Sequence, residues 1–241
     1  MTERPGRRVL ARRTGELLQQ EIMQLILDRG LRPGDPLPTE NDLMDDLGVS
    51  RNSVREALKA LRALDIVEVR HGHGTYVGKL SLTPLADGLT FRTLQGSEND
   101  VRALGEILEV REALEAGLIR RVAATIPDED LAALDAAVRK MDAKARAGEP
   151  FPDEDREFHE LLYRSLGNTL VPQLLGVFWN VFDRVAQVRG WNHDPSPIGT
   201  VRRHRAIVAA LRRHDVEEAE QALARHFRTI DSRVEKAARR R

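Results

Sequence analysis

Apolar residues recur at helical spacing over most of the chain. In TGELLQQEIMQLILDRG, residues 14–30, the repeat is Leu18, Ile22, Leu25 and Ile26, with Gly30 placed to cap the end. RPGDPLP is too rich in Pro and Gly to continue that helix. A new one can begin at Thr39, whose side chain can cap it, with Glu40 and Asp42 in the first turn where the helix dipole favours acids. Gly48 closes this short helix. Ser50 then caps the next, SRNSVREALKALRAL, whose stripe is Val54, Leu58, Leu61 and Leu64. The period changes after that, and IVEVRHGHGTYV predicts two short strands around a Gly-containing turn. Residues 80–97, with Pro84, Gly88 and Gly96, read as a linker holding a brief helical turn. From Asp100 the spacing predicts helices near 100–125, 128–147, 153–167, 170–190, 198–212 and 215–236, separated by loops that suit antiparallel neighbours in a bundle.

Composition narrows the possibilities. Hydrophobic residues make up 41% and charged residues 32% of the 241 residues, the balance of an ordinary globular chain. No apolar run approaches 18 residues, so no membrane partner is expected. The basic start, MTERPGRRVLARR, leads into no apolar stretch of the kind a signal peptide needs, and a cytoplasmic location follows as the expectation. The chain has no cysteine, which excludes disulfides, thiol catalysis and thiolate zinc sites. The 38 basic and 38 acidic residues cancel, which argues against indiscriminate polyanion binding. The charge is nevertheless uneven. Arg51, Arg55, Lys59 and Arg62 face only Glu56 within residues 51–62, and both chain ends are basic.

The basic stretch coincides with the short helix pair. Helix, turn, basic helix and two-stranded wing is the order of a winged helix-turn-helix, which lays its second helix in the major groove of double-stranded DNA. Leu43 and Leu47 would brace Val54 and Leu58 across the turn. Arg51 and Arg55 share one helical face. Arg suits guanine O6 and N7, Asn52 can pair with adenine, and Ser50 and Ser53 suit phosphate. At the wing, His71 and His73 flank Gly72 and could touch DNA or simply face solvent in the turn.

Chemistry of another kind marks the later helices. Asp155 and His159 lie four apart in DREFHELL, while His204 and His226 stand on the stripes of their own helices. Each group projects toward the bundle centre, where facing helices build metal sites. One carboxylate and three imidazoles suit a divalent cation, with Zn²⁺ the leading candidate and Ni²⁺, Mn²⁺ or Fe²⁺ as alternatives. His193 and His214 fall in loop or cap positions and are read as solvent-facing. Arg111 interrupts the apolar stripe Leu104, Ile107, Leu108, Leu114. A buried Arg needs an anion, either Glu115 four residues on or a small-molecule effector. Asn180 and Arg184 share one face and are either pocket or solvent residues.

These motifs carry a resemblance. GDPLPTENDLMDDLGVSRNSVREALKALRALDIVEVRHGHGTYV resembles the winged-helix domain of GntR-family transcriptional regulators. The resemblance implies DNA contacts from Arg51, Asn52, Ser53, Arg55, His71 and Gly72. VREALEAGLIRRVAA, DREFHELLYRSLGN and HRAIVAALRRHDVEEAEQALARHF resemble the FCD-type ligand domain of the FadR-like subfamily. It implies a divalent metal on Asp155, His159, His204 and His226 with a small carboxylate effector beside it. Asn41 departs from a frequent basic residue, Asp65 from a common glycine before the wing, and Arg203 from a common acidic residue.

The expected organisation is a DNA-binding domain at 1–79, a linker at 80–97, an effector- and metal-binding domain at 98–236 and a basic tail at 237–241. The expected function is a ligand-responsive regulator, acting as a repressor and released from a palindromic operator as a homodimer. An enzyme is disfavoured, because HExxH, GxSxG, P-loop and dinucleotide motifs are all missing. The alternatives are a metal-dependent enzyme acting on a small carboxylate, and a regulator whose metal only stabilises the fold.

Overall fold

Local sequence signals set the boundaries of the N-terminal helices. In a computed structural model the backbone is described for residues 5–96, 101–190 and 196–239, and side chains for 15–96, 101–190 and 196–230. It divides into two compact units, Met1–Pro84 and Leu85–Arg241. In the first, α1 spans Pro5–Asp28, α2 Glu40–Leu47 and α3 Arg51–Ala63. Thr39 and Asp42 form a reciprocal capping box, which satisfies backbone N–H groups that a helix start leaves unpaired. Ser50 caps α3 by accepting from the Ser53 amide. Strands β1 (Val67–Arg70) and β2 (Gly74–Val77) pair antiparallel, Val67 opposite Val77 and Arg70 opposite Gly74. One core closes the unit: Leu18, Ile22 and Ile26 of α1 meet Leu43, Val54, Leu58, Leu61, Val67 and Val77.

The connection around the wing is tight. Asp65 takes the left-handed conformation (φ 58°) that a glycine would adopt freely, and its carboxylate accepts from the Ser81 amide at 3.1 Å. That hydrogen bond explains how Asp serves at this position. Gly78 has no such substitute. A Cβ there would lie 2.3 Å from the Asp65 carbonyl oxygen, while the Gly78 amide donates to Ile66 at 2.8 Å.

Residues 83–94 are not the brief turn that the sequence predicts. A 12-residue helix, α4, runs Thr83–Leu94 through the expected linker. Pro84 sits at its start, where a missing N–H costs nothing. The hydroxyls of Thr90 and Thr93 fold back onto the carbonyls of Ala86 and Leu89 at 2.7 and 2.8 Å. These bonds let residues of poor helical propensity stay helical without exposing their hydroxyls.

The remaining helices of the second unit are α5 (Arg102–Thr125), α6 (Asp128–Ala147), α7 (Pro152–Leu162), α8 (Leu170–Arg189), α9 (Pro197–Arg212) and α10 (Val216–Arg239). A 3₁₀ turn at Arg164–Leu166 follows α7 where one longer helix was expected. α10 runs past the predicted 236 into the expected tail. α10 packs on α5 and α9, α6 on α7 and α9, and α8 on α5 and α7. Their apolar faces share a core that includes Ile119, Leu134, Met141, Phe158, Leu162, Val201, Ile207 and Phe227. The fold is thus an N-terminal winged helix-turn-helix with a C-terminal all-helical bundle. Among the described residues no helix is long and apolar enough to cross a membrane.

Gly78→Ala should destabilise the first unit by about 3 kcal/mol, the upper range for forcing extra volume into a packed site. Thermal unfolding of the two proteins checks this, and an unchanged melting temperature contradicts the close approach to Asp65.

Candidate functional site

The exposed front of α3 is built for contact. Arg51, Asn52 and Arg55 are exposed, Ser53 is half-buried, and Val54 on the opposite side is fully buried. The capped N-terminus directs its remaining amides outward, a favourable seat for phosphate. Arg51 Nη2 donates to Asn41 Oδ1 at 2.8 Å, and Arg55 Nε stands 3.8 Å from Glu40 Oε1. Asn41 therefore holds the Arg51 side chain, a contact that the sequence alone did not indicate. At the wing, His71, Gly72 and His73 are exposed, and Gly72 has φ 76°. Arg70 is turned back, stacked 4.1 Å over the Tyr76 ring and paired with Glu68 at 3.2 Å.

The second site lies inside the bundle. His159 of α7, His204 of α9 and His226 of α10 are buried, and one ring nitrogen from each lies within 4.8 Å of the others. Asp155 is outside this mutual set, but its Oδ1 reaches His204 Nε2 at 2.8 Å. All three histidines project from the inward stripes that the sequence assigned them.

Fixed tautomers prepare the cluster. His159 Nδ1 lies 2.8 Å from Glu115 Oε2, and His204 Nδ1 lies 2.9 Å from the Thr200 carbonyl oxygen. Both partners only accept, so each Nδ1 carries the proton and each Nε2 presents a lone pair. Those two Nε2 atoms, both ring nitrogens of His226 and Asp155 Oδ1 are buried without a hydrogen-bond partner. Burial first, then the neighbouring imidazoles and Arg111, push the His226 pKa well below the usual imidazole value, which favours the neutral ligand form. Each such orphan costs about 1–3 kcal/mol, so a convergent group of them calls for a shared partner. The Asp155–His204 approach lacks hydrogen-bond geometry and matches the spacing of roughly 3 Å between neighbouring ligands of one small cation. The three imidazoles can coordinate a metal ion together.

Glu115 of α5 holds this arrangement. It is fully buried and accepts from Arg111 Nε at 2.6 Å, from His159 and from the Tyr163 hydroxyl at 2.9 Å. Burial opposes its charge, but His159 and Arg111 outweigh that and hold the carboxyl far below its ordinary range. Burial and the Glu115 charge push the Tyr163 phenol well up, so it remains a donor. Arg111 thus takes the internal pair that the sequence allowed. Its guanidinium also lies 4.6 Å over the Trp179 ring and 5.2 Å from that of Phe227, and its Nη2 is buried with no acceptor.

Other expectations fare differently. Arg184 is exposed and pairs with Asp87, so it takes the solvent alternative. Asn180 is half-buried and accepts from Arg156 at a long 3.4 Å. His214 is exposed as expected, with Nδ1 2.9 Å from the Ala123 carbonyl oxygen. His193 lies outside the described residues. Trp179, Tyr163 and Thr200 were missed. Trp179 had one usable signal: it follows the buried Leu175 by four residues on α8.

Comparison with known proteins decides the family. Residues 14–77 match the model of the gntR family of bacterial regulatory proteins, and residues 106–229 match that of the FCD domain. The chain belongs to the GntR family. Its FCD domain places it with the FadR-type regulators. It is 31% identical over 234 residues to the transcriptional repressor NanR of Cronobacter sakazakii, covering 93% of this chain and 87% of that one. It is 29% identical to the galactonate operon transcriptional repressor of Escherichia coli over 191 residues, covering 79% and 83%. A solved GntR structure from Streptococcus agalactiae superposes with a TM-score of 0.64 at 28% identity, covering 90% of this chain and 98% of that one. The chain is accordingly a DNA-binding transcriptional regulator and not an enzyme.

Two outcomes follow. Arg51→Ala should weaken operator binding by about 1–3 kcal/mol and relax the preference at one base pair, read by gel shift over operator variants. Unchanged affinity would remove Arg51 from the reading face. The second concerns pH. The His226 pKa is depressed by folding, so its contribution to stability is present above about 6.5, the unfolded imidazole range, and is lost as pH falls below it. Protons also compete with any metal there. Melting temperature should therefore fall below pH 6.5, and less steeply in His226→Gln.

Proposed function

We propose that the chain is a repressor that a small carboxylate metabolite releases from its operator. In this reading residues 1–79 bind a palindromic operator as a homodimer in the cytoplasm, through Arg51, Asn52, Ser53, Arg55, His71 and Gly72. Residues 98–236 sense the effector. The names of the two relatives, both transcriptional repressors, support repression over activation. One reading helix per chain supports the dimer, because a single half-site gives a small interface.

The observation that carries the effector reading is the orphaned Nη2 of Arg111 beside the histidine cluster. Asp155, His159, His204 and His226 would hold a divalent cation, with Zn²⁺ preferred for its affinity for imidazole. A bound cation leaves coordination positions open to a carboxylate oxygen. The charge balance points the same way. Arg111 and Glu115 cancel, Asp155 offsets one charge of the cation, and one positive charge remains for a monoanion to neutralise. The free Nη2 of Arg111 then receives the second carboxylate oxygen. Effector binding shifts the dimer from its DNA-competent arrangement only in so far as the two states bind the effector differently.

A structural metal is the second reading. Arg111 already has Glu115 as its anion, so a cation could complete the core with no effector present. Arg111→Lys separates the two, because it keeps a charge opposite Glu115 and removes the planar fork. A thermal-shift screen of small carboxylates on the zinc-loaded protein, with galactonate first because of the relative's name, should reveal a stabilising ligand. Arg111→Lys should retain the metal and lose most of that ligand's effect on DNA release. A variant that releases DNA like the wild type would leave the metal as a staple.

A further inference from the structure

Arg111 is not alone in lacking an acceptor. Trp179 Nε1 is also buried without a hydrogen-bond partner. The indole carries the Arg111 guanidinium on its face, 4.6 Å from the ring centroid, and its ring lies 5.9 Å from that of His159. It therefore touches both an unsatisfied cationic donor and a member of the histidine cluster.

An indole N–H can only donate. Phe227, the other aromatic ring against Arg111, brings no polar atom, whereas Trp179 does. The Trp179 ring is half-buried but its Nε1 is buried, and an unpaired N–H there costs free energy that a ligand oxygen would recover. A carboxylate has two oxygens, and the reading above assigns them to the cation and to Arg111 Nη2. A further oxygen on the effector would then supply the acceptor for Trp179.

We infer that Trp179 Nε1 donates to a hydroxyl or keto oxygen beside the effector's carboxylate, and so selects oxygen-substituted acids over plain ones. The inference rests on the carboxylate reading of the histidine site. A polar site built for one oxygen rejects the analogue lacking it far more strongly than an apolar pocket rejects a missing methylene. A hydroxyl can also chelate a cation, so the preference must be shown to depend on the indole N–H itself.

The test uses the full-length zinc-loaded chain and three pairs of acids differing by one hydroxyl: lactate and propionate, glycolate and acetate, malate and succinate. Calorimetry on the wild type should show the hydroxylated member binding more tightly in at least one pair. Trp179→Phe keeps an aromatic face under Arg111 and removes the donor together with one ring of the indole. Its preference for the hydroxylated member over the plain one should fall about tenfold, the worth of one buried hydrogen bond. In the wild-type protein, the Trp179 indole N–H resonance should move on adding the hydroxy acid and stay near its place with the plain acid. That readout does not depend on the variant folding. Trp179 is overturned while the carboxylate reading stands if Trp179→Phe weakens both members equally, if it keeps the full preference, or if the indole signal ignores the hydroxyl. Failure of all six acids to bind the zinc-loaded wild type overturns the carboxylate reading and this inference with it.

Discussion

A single carboxylate inside the bundle sets the geometry of everything around it. Glu115 is wholly buried, and such a charge survives away from water only when its oxygens are occupied. Arg111, four residues back on the same helix, and His159 and Tyr163, from the end of α7 far along the chain, occupy them. Each contact has a consequence. The Tyr163 hydroxyl ties the segment after α7 to α5. The bond to His159 fixes the ring so that Nε2 faces the cluster. The bond to Arg111 consumes Nε and leaves Nη2 free. Of the three rings, Glu115 orients His159 and the Thr200 carbonyl orients His204, while both nitrogens of His226 stay unpartnered.

The DNA-reading unit follows the same principle at its surface, with smaller energies. Asn41 and Glu40 at the start of α2 engage Arg51 and Arg55 on α3. Exposed contacts of this type contribute little to stability. Their effect is to reduce the freedom of two long, exposed side chains that would otherwise sample many rotamers. Asn41, which departs from a frequent basic residue of the family, gives up a direct charge and supplies an acceptor for Arg51.

Much of this was legible in the sequence, and the misses share a cause. Thr39, Gly48 and Ser50 mark helix ends by local chemistry, so α2, α3 and the wing could be placed. Asp155, His159, His204 and His226 could be grouped because helical spacing put each on an inward stripe. α4 was read as a turn, because the hydrogen bonds that keep Thr90 and Thr93 helical leave no trace in propensity. Tyr163 was missed because its partner, Glu115, is set by how the helices pack, and Thr200 because it acts through a backbone carbonyl, which side-chain chemistry does not reveal. Arg184 shares a helical face with Asn180, and the pattern alone could not show that Asp87 would claim it outside the core.

The most direct test is zinc affinity in the presence of a competing chelator, for the wild type and for Glu115→Gln. Gln cannot offer His159 Nδ1–H a charged acceptor, and loss of such an orienting partner typically weakens a metal site 10–100-fold. The account predicts one tightly held divalent ion per wild-type chain, an affinity loss of about that size in the variant, and a variant that still folds. A wild-type chain that holds no ion, or a variant that binds zinc as tightly as the wild type, would contradict it.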